Sequence, residues 1–269
     1  MTTSLSRLSA FLDAAPVAAA IEVAQARGST PREEGAWMVV SEAATLGTIG
    51  GGQLEFLAIE RARELIRRNV ATGAMDIPLG PEIGQCCGGR VALSITLVDA
   101  ERRRTLEARV AAEEAAQPRV FIFGGGHVGH ALAAALALLP LRATVVETRA
   151  DALDGLPEEV TARLTPMPEE VVRAAPAGSA FVVLTHNHAL DFLIVAEALK
   201  RPDAAYVGMI GSKTKKATFR SWYLREAGGT EAGFARLVSP IGGSDLDDKR
   251  PAVIAALAAA EIMRALGGR

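Results

Sequence analysis

The chain has 269 residues, 49% apolar and 22% charged, with a formal net charge of −2, which suits ordinary soluble material of two domains. A near-neutral chain with 4% aromatic residues has neither the basic field nor the stacking surface of a nucleic-acid binder, so nucleic acid is excluded as a partner. The longest uncharged apolar run, 131–141, is too short to span a bilayer and no secretory pattern opens the chain, so the expectation is a cytoplasmic protein without membrane contact.

Residues 4–15 place Leu5, Leu8, Phe11 and Leu12 at helical spacing behind Thr3 and Ser4, either of which can cap a helix. A strand over 17–24 runs into the turn-forming cluster Arg27-Gly-Ser-Thr-Pro-Arg32, which carries two guanidinium groups. A second strand over 36–40 is followed by GTIGGG at 47–52, a glycine-rich turn opening a helix at about Gln53. Its free amides, at Gly50, Gly51 and Gly52, can hold an anion; the alternative is a sharp strand-to-helix turn and nothing more. Strands follow at 75–79 and 91–98, and between them GQCCGG holds Cys86 and Cys87. Adjacent thiols among glycines give an accessible soft ligand, or else two small residues in a turn. They cannot form a disulfide scaffold and suit a reducing compartment. The segment 99–118 is charged and alanine-rich, with no glycine and no proline before Pro118, and predicts a helical connector whose charges lie on a solvated face.

In the second half, RVFIFGGGHVGH at 119–130 reads as strand, tight turn and helix. Gly124, Gly126 and Gly129 stand at the G-x-G-x-x-G spacing of a dinucleotide-type turn, in which the glycines allow the turn, the approach of a phosphate and the packing of helix on strand. A strand over 143–146 ends in Glu147, about 20 residues on, where such folds place the acid that takes a ribose hydroxyl. Strands over 180–184 and 206–210 then alternate with helices over 169–174, 190–199 and 213–226, and a last helix covers 250–266. This alternation predicts a parallel sheet with right-handed crossovers, whose ligands bind beyond the carboxyl ends of the strands. Polar residues gather at those ends: Glu147 and Arg149; Thr185, His186 and His188; Gly211, Ser212 and Lys213. All four histidines lie at turns or strand ends of this half. His186, His188 and Asp191 are a conceivable metal set, though side chains at i and i+2 converge poorly.

The expected fold is α/β, with an N-terminal α/β domain over 1–100, a helical connector over 101–118 and a Rossmann-like parallel-sheet domain over 119–269. Taken in order, GSTPREEGAWMVV, GTIGGGQLE, GQCCGG, FIFGGGHVGHAL, VVETRAD, LTHNHALDF, YVGMIGSKTKK and SPIGG resemble the XdhC/CoxF family of xanthine dehydrogenase accessory proteins, over nearly the whole chain. The resemblance implies a chaperone, not a catalyst: a protein that binds the molybdenum cofactor (molybdopterin), protects it and helps insert its sulfurated form into the molybdenum subunit of xanthine dehydrogenase, with a cysteine desulfurase as second partner. By position the family's cofactor cysteine, the metal ligand, falls on Cys87, with Cys86 an extra neighbour; many relatives carry cysteine where Gln53 stands. Cofactor contacts are then expected from Arg27, Arg32, Gly50, Gly51, Gly52, Cys86 and Cys87 in the first domain. In the second they are expected from Gly124, Gly126, Gly129, Glu147, His186, His188, Ser212 and Lys213, with room for a nucleotide in the Rossmann cleft. Alanine-rich helical surfaces are compatible with a homodimer. The glycine fingerprint with Glu147 sustains an alternative, an NAD(P)-dependent oxidoreductase with a histidine as acid or base, and the cysteine pair sustains another, a redox or metal-binding module.

Overall fold

Apolar–polar alternation and β-branched residues lay down the strands of the first unit, Met1–Ala116, while a second unit comprises Gln117–Arg269. The computed structural model describes residues 4–81, 88–243, 246 and 248–267. Among these, the first unit runs α1 (Leu5–Ala14), β1 (Ala18–Arg27), β2 (Trp37–Ser41), β3 (Thr45–Gly47), α2 (Gly52–Arg68), β4 (Thr72–Pro78), β5 (Arg90–Leu97) and α3 (Ala100–Ala116). The strands form one sheet in the order β3-β2-β1-β5-β4, each pairing antiparallel.

Each face of this sheet has its own cover. On one, Leu54, Ala58, Ala62 and Leu65 of α2 pack on Ile21, Val40, Leu93 and Ile95. Their spacing along α2 puts them on a single stripe. On the other, Leu8 and Leu12 of α1 and Leu106 and Val110 of α3 pack on Ala18, Ala20 and Val39, small residues at the centre of the sheet that let two helices approach. The helix expected as a connector therefore belongs to the core of the first unit. Its charges are correspondingly not all solvated: Arg102 and Arg109 both donate to Glu22 of β1, at 3.1 and 2.9 Å, and Arg109 Nη2 also donates to Gly35 O at 2.5 Å.

The second unit runs β6 (Arg119–Phe123), α4 (His127–Leu136), β7 (Arg142–Glu147), a 3₁₀ turn at Asp151–Leu153, β8 (Thr161–Leu164), α5 (Pro168–Ala174), β9 (Ala180–Val183), α6 (His188–Leu199), β10 (Tyr206–Met209), α7 (Lys213–Arg225), α8 (Glu231–Ala235), β11 (Leu237–Val238) and α9 (Pro251–Gly267). All pairings are parallel and the order is β11-β10-β9-β6-β7-β8. This is the doubly wound order, in which the chain leaves the central strand pair first to one side and then to the other. The sheet is buried on both faces: α4 and α9 cover Val120, Ile122 and Val182, and α5, α6 and α7 cover Phe121, Phe123 and Phe181. That is why these strands read as continuous apolar runs.

The strands β3, β8 and β11 escape the sequence pattern. β8 is exposed along its length and β11 is two residues long, so neither carries the burial that makes a strand legible. The helix α4 begins at His127, four residues before its apolar run, because Gly126 and not an apolar residue sets its N-cap.

Candidate functional site

The glycine turn at the end of β6 sits at the switch point, where β7 lies to one side and β9 to the other. Its three glycines are required for three separate reasons. Gly124 has φ +119° and a Cβ there would come 2.5 Å from Leu184 O. A Cβ on Gly129 would come 2.0 Å from Gly124 O, so this glycine sets the approach of α4 to β6. Around a Cβ on Gly126 nothing lies within 4 Å, and Gly126 is the N-cap of α4 with no side chain to offer its amides. The exposed start of α4 therefore has no side-chain cap for its first backbone N–H groups, the kind of helix end that suits an anion by both hydrogen bonding and dipole.

Glu147, at the end of β7, is 4% exposed and turned toward that glycine turn. Its Oε2 accepts from Gly125 N at 3.0 Å and from Arg149 Nη2 at 3.2 Å, and its Oε1 accepts from Thr148 N at 2.7 Å, Thr148 Oγ1 at 3.1 Å and Arg149 N at 3.2 Å. Burial alone would raise its pKa, but the donors from Gly125, Arg149 and Thr148 overcome it and hold the carboxyl at about 2. Five donors on two oxygens leave little capacity for a ribose hydroxyl. The 3₁₀ turn completes the arrangement, since Ala152 O accepts from His130 Nε2 at 3.0 Å and a Cβ on Gly125 would come 2.1 Å from it.

On the other side of the switch point the polar segments after β9 and β10 are locked together by a pair of which the sequence reading singled out only Asp191, and that as a metal ligand. Asp191, 0% exposed on the first turn of α6, accepts through Oδ1 from Thr185 N at 3.0 Å and Thr185 Oγ1 at 2.7 Å. Lys215, 9% exposed on the first turn of α7, donates to Asp191 Oδ2 and, at 3.0 Å, to Ile210 O. Asp191 is thereby committed to a cation on its own chain, and among the described residues no group of His, Cys, Asp and Glu is placed to hold a metal. His186 and His188 are exposed on the α6 side of this lock, and Ser212 and Lys213 are exposed at the start of α7, where Ser212 caps the helix by accepting from Lys215 N. No signal in the sequence marks Lys215, one of several lysines in KTKK; only the fold selects it.

In the first unit, the structure brings the Arg27–Arg32 loop, the GTIGGG turn and the segment after the cysteines together. A Cβ on Gly50 would come 2.7 Å from Pro31, Arg32 Nη1 lies 3.5 Å from Thr48 O, and a Cβ on Gly89 would come 2.2 Å from Ser29 O. Cys86 and Cys87 lie outside the described residues. The GTIGGG turn already holds an anion of its own, however. Glu55 Oε2 accepts from Thr48 Oγ1 at 2.5 Å, Ile49 N at 3.0 Å and Gly51 N at 3.0 Å, and Gly50 N donates to Thr48 Oγ1 at 3.1 Å. An outside anion would have to displace Glu55 to reach the amide of Gly51. An acidic residue in the first turn of the helix was the available sequence signal.

No helix among the described residues is long and apolar enough to cross a membrane. Comparison with known proteins accords with the doubly wound sheet. A sequence profile of the XdhC Rossmann domain matches residues 120–262, and one of the XdhC and CoxI family matches residues 13–75. The uncharacterized protein YqeB of Escherichia coli (strain K12) is 28% identical over 260 residues, 90% of this chain, and the chain spans 42% of that protein's length. A crystal structure described as a xanthine dehydrogenase from Bacillus halodurans shares the fold, with a TM-score of 0.81 and 18% identity over 99% of this chain and 97% of that one.

Proposed function

The chain belongs to the XdhC family, and from that membership we propose that it serves the maturation of xanthine dehydrogenase as a cofactor carrier. In this reading it binds the molybdenum cofactor, protects it, and passes the sulfurated form to the molybdenum subunit of xanthine dehydrogenase in the cytoplasm, with a cysteine desulfurase as the source of sulfur and a homodimer as the working form. The observation that supports the reading is the N-terminus of α4: Gly126 and His127 are exposed, no side chain caps the helix, and among the described residues nothing lies within 4 Å of a Cβ position on Gly126, an end suited to a phosphate group.

The turn built by Gly124, Gly126 and Gly129 would take that phosphate at Gly126, with Gly124 and Gly129 shaping the turn, Ser212 and Lys213 at the neighbouring strand end and His186 and His188 beside it. Cys87, or its neighbour Cys86, would supply the soft ligand, and Arg27 and Arg32 the charge of the first unit's face. When bound, the cofactor supplies redox chemistry to the target hydroxylase; this chain's part is to bind, orient and shield. Glu147 supports a carrier over a nicotinamide enzyme, because its carboxylate is spent on Gly125, Thr148 and Arg149 instead of being left for a ribose. The glycine fingerprint and the doubly wound order still keep a nucleotide in view, as a part of the cofactor or as NAD(P).

The test is purification from a molybdenum-replete host followed by oxidative release of the pterin. Stoichiometric pterin in the wild type, its loss in Cys87→Ala and Gly126→Ala, and poor activation of xanthine dehydrogenase without the protein are expected. Absence of pterin together with saturable binding of NAD or NADP in calorimetry would overturn the carrier in favour of an oxidoreductase.

A further inference from the structure

A bulge in β1 decides where Arg27 stands. Val23 pairs with Leu93 and Gln25 with Ala92, so two steps along β1 face one along β5 and Ala24 is the extra residue. Before the bulge, Ile21 and Val23 share the α2 core with Leu93 and Ile95; after it, Ala26 joins Val91 on that side. Alternation then puts Gln25 and Arg27 on the opposite face, beside Ala92 and Arg90. In an unbulged strand, Arg27 would fall on the α2 side. Asp76 of β4 stands on the same opposite face, since its neighbours Met75 and Ile77 both pack toward α2.

The helices α1 and α3 cover this face over Ala18, Ala20 and Val39. Elsewhere on it lies an open, solvent-facing cavity of about 120 Å³ lined by Gln25, Arg27, Asp76, Arg90 and Ala92, with the side chains of Arg90 and Asp76 more than half exposed. Arg90 donates from Nε and Nη2 to Asp76 at 2.7 and 2.8 Å, and Arg27 donates from Nη2 to Gln25 Oε1 at 3.1 Å. Both guanidinium groups are thus oriented by a neighbour, and these bonds among the described residues use fewer than half of each fork's N–H groups. Arg27 and Arg90 are direct cross-strand partners. Like charges so placed destabilise a sheet, and one carboxylate between two guanidinium groups leaves the cavity with a net positive charge. Gly89 fixes the pair side by side, for any Cβ there would come 2.8 Å from Arg27 O.

We propose that the Arg27–Arg90 cavity of the first unit is an oxyanion site for the phosphate monoester of a small molecule. Planar guanidinium forks match a phosphate in geometry as well as charge, and an anion between them relieves their mutual repulsion. Arg90 follows Cys87 by three positions in the chain. The anion site does not rest on the proposed function, which gives the pterin's phosphate to the glycine turn of the second unit.

The experiment is a titration of the full chain with inorganic pyrophosphate, followed through the Nε–H resonances of Arg27 and Arg90, which report this cavity and not the glycine turn. Saturable shifts of both resonances are expected. Arg27→Gln and Arg90→Gln should each weaken binding about tenfold, the worth of one charge-assisted hydrogen bond. Asp76→Asn keeps an oxygen for Arg90 but removes a negative charge, and should tighten binding. Shifts that never saturate, affinity unchanged in both glutamine variants of unaltered circular dichroism, or weaker binding by Asp76→Asn would each overturn the site. A protein that binds pyrophosphate here yet carries no pterin on purification would leave the site standing and remove the cofactor reading.

Discussion

At the scale of single residues, the glycine fingerprint separates into one position that serves a ligand and others that serve packing. Gly126 has φ −80° and open surroundings, so alanine there meets no strain. Gly126→Ala is expected to lose no more than about 1 kcal/mol, the cost of alanine at an N-cap, while blocking phosphate at α4. Gly129→Ala is expected to lose more than about 2 kcal/mol, because its Cβ would drive α4 away from the Gly124 carbonyl. Chemical denaturation of the two variants checks both, and equal losses would contradict the division. Glu147 makes a second claim. Its folded pKa, about 2, lies below the unfolded value of 4.5, so its contribution is complete above about pH 4.5 and is lost as pH falls toward about 2. The contribution is on the order of 2 to 3 kcal/mol. Wild type should therefore converge with Glu147→Gln in stability between about pH 5 and pH 2. A gap that does not narrow on acidification would show that the carboxylate's bonds to Gly125, Thr148 and Arg149 do not stabilise the fold.

At the scale of elements, much of what holds the polar strand ends is a carboxylate supplied by the chain itself. Glu55 occupies the amides of the GTIGGG turn, Glu147 holds Gly125, and Asp191 with Lys215 ties the segments after β9 and β10. The last of these is a buried ion pair, for which removing one partner strands the other. Lys215→Met or Asp191→Asn should each cost about 3 kcal/mol, and the double variant should cost far less than their sum. Additive losses in a double-mutant cycle would rule out the coupling. Glu261 does similar work at β10: its Oε2 accepts from Tyr206 Oη at 2.8 Å and Gly242 N at 2.8 Å, tying the turn after β11 to α9. Burial, then the nearby Glu261 carboxylate, push the Tyr206 hydroxyl up, so it remains a donor across the physiological range. The repeating strand and helix patterns were legible because each has one buried face or two. The locks were not, since Lys215 and Asp191 are 24 positions apart and nothing in either local pattern refers to the other.

At the scale of the whole molecule, each unit carries its own sheet with helices on both faces and buried clusters on each. Each therefore has the core that independent folding requires. Residues 1–116 and 117–269 expressed separately should each unfold cooperatively with native-like circular dichroism. Failure of the first fragment alone would show that its sheet and three helices are insufficient without the second unit. The place of α3 gives that fragment its boundary: truncation at residue 100, where the composition changes, would strip Leu106 and Val110 from the face that holds Ala18 and Ala20.

The sequence by itself determined the alternation of strands and helices, the parallel sheet of the second half, the glycine turn at its centre and the family, because apolar periodicity and glycine spacing are local properties of the chain. The antiparallel order of the first sheet, the assignment of α3 to its core, the internal carboxylates that fill the glycine-turn amides and the bulge at Ala24 were decided only in the tertiary structure. A carboxylate can satisfy a turn of its own chain or a ligand's hydroxyl with the same chemistry, and one extra residue in a strand reverses every side chain after it. Which outcome holds depends on neighbours that are distant in sequence and adjacent only once the sheet has formed.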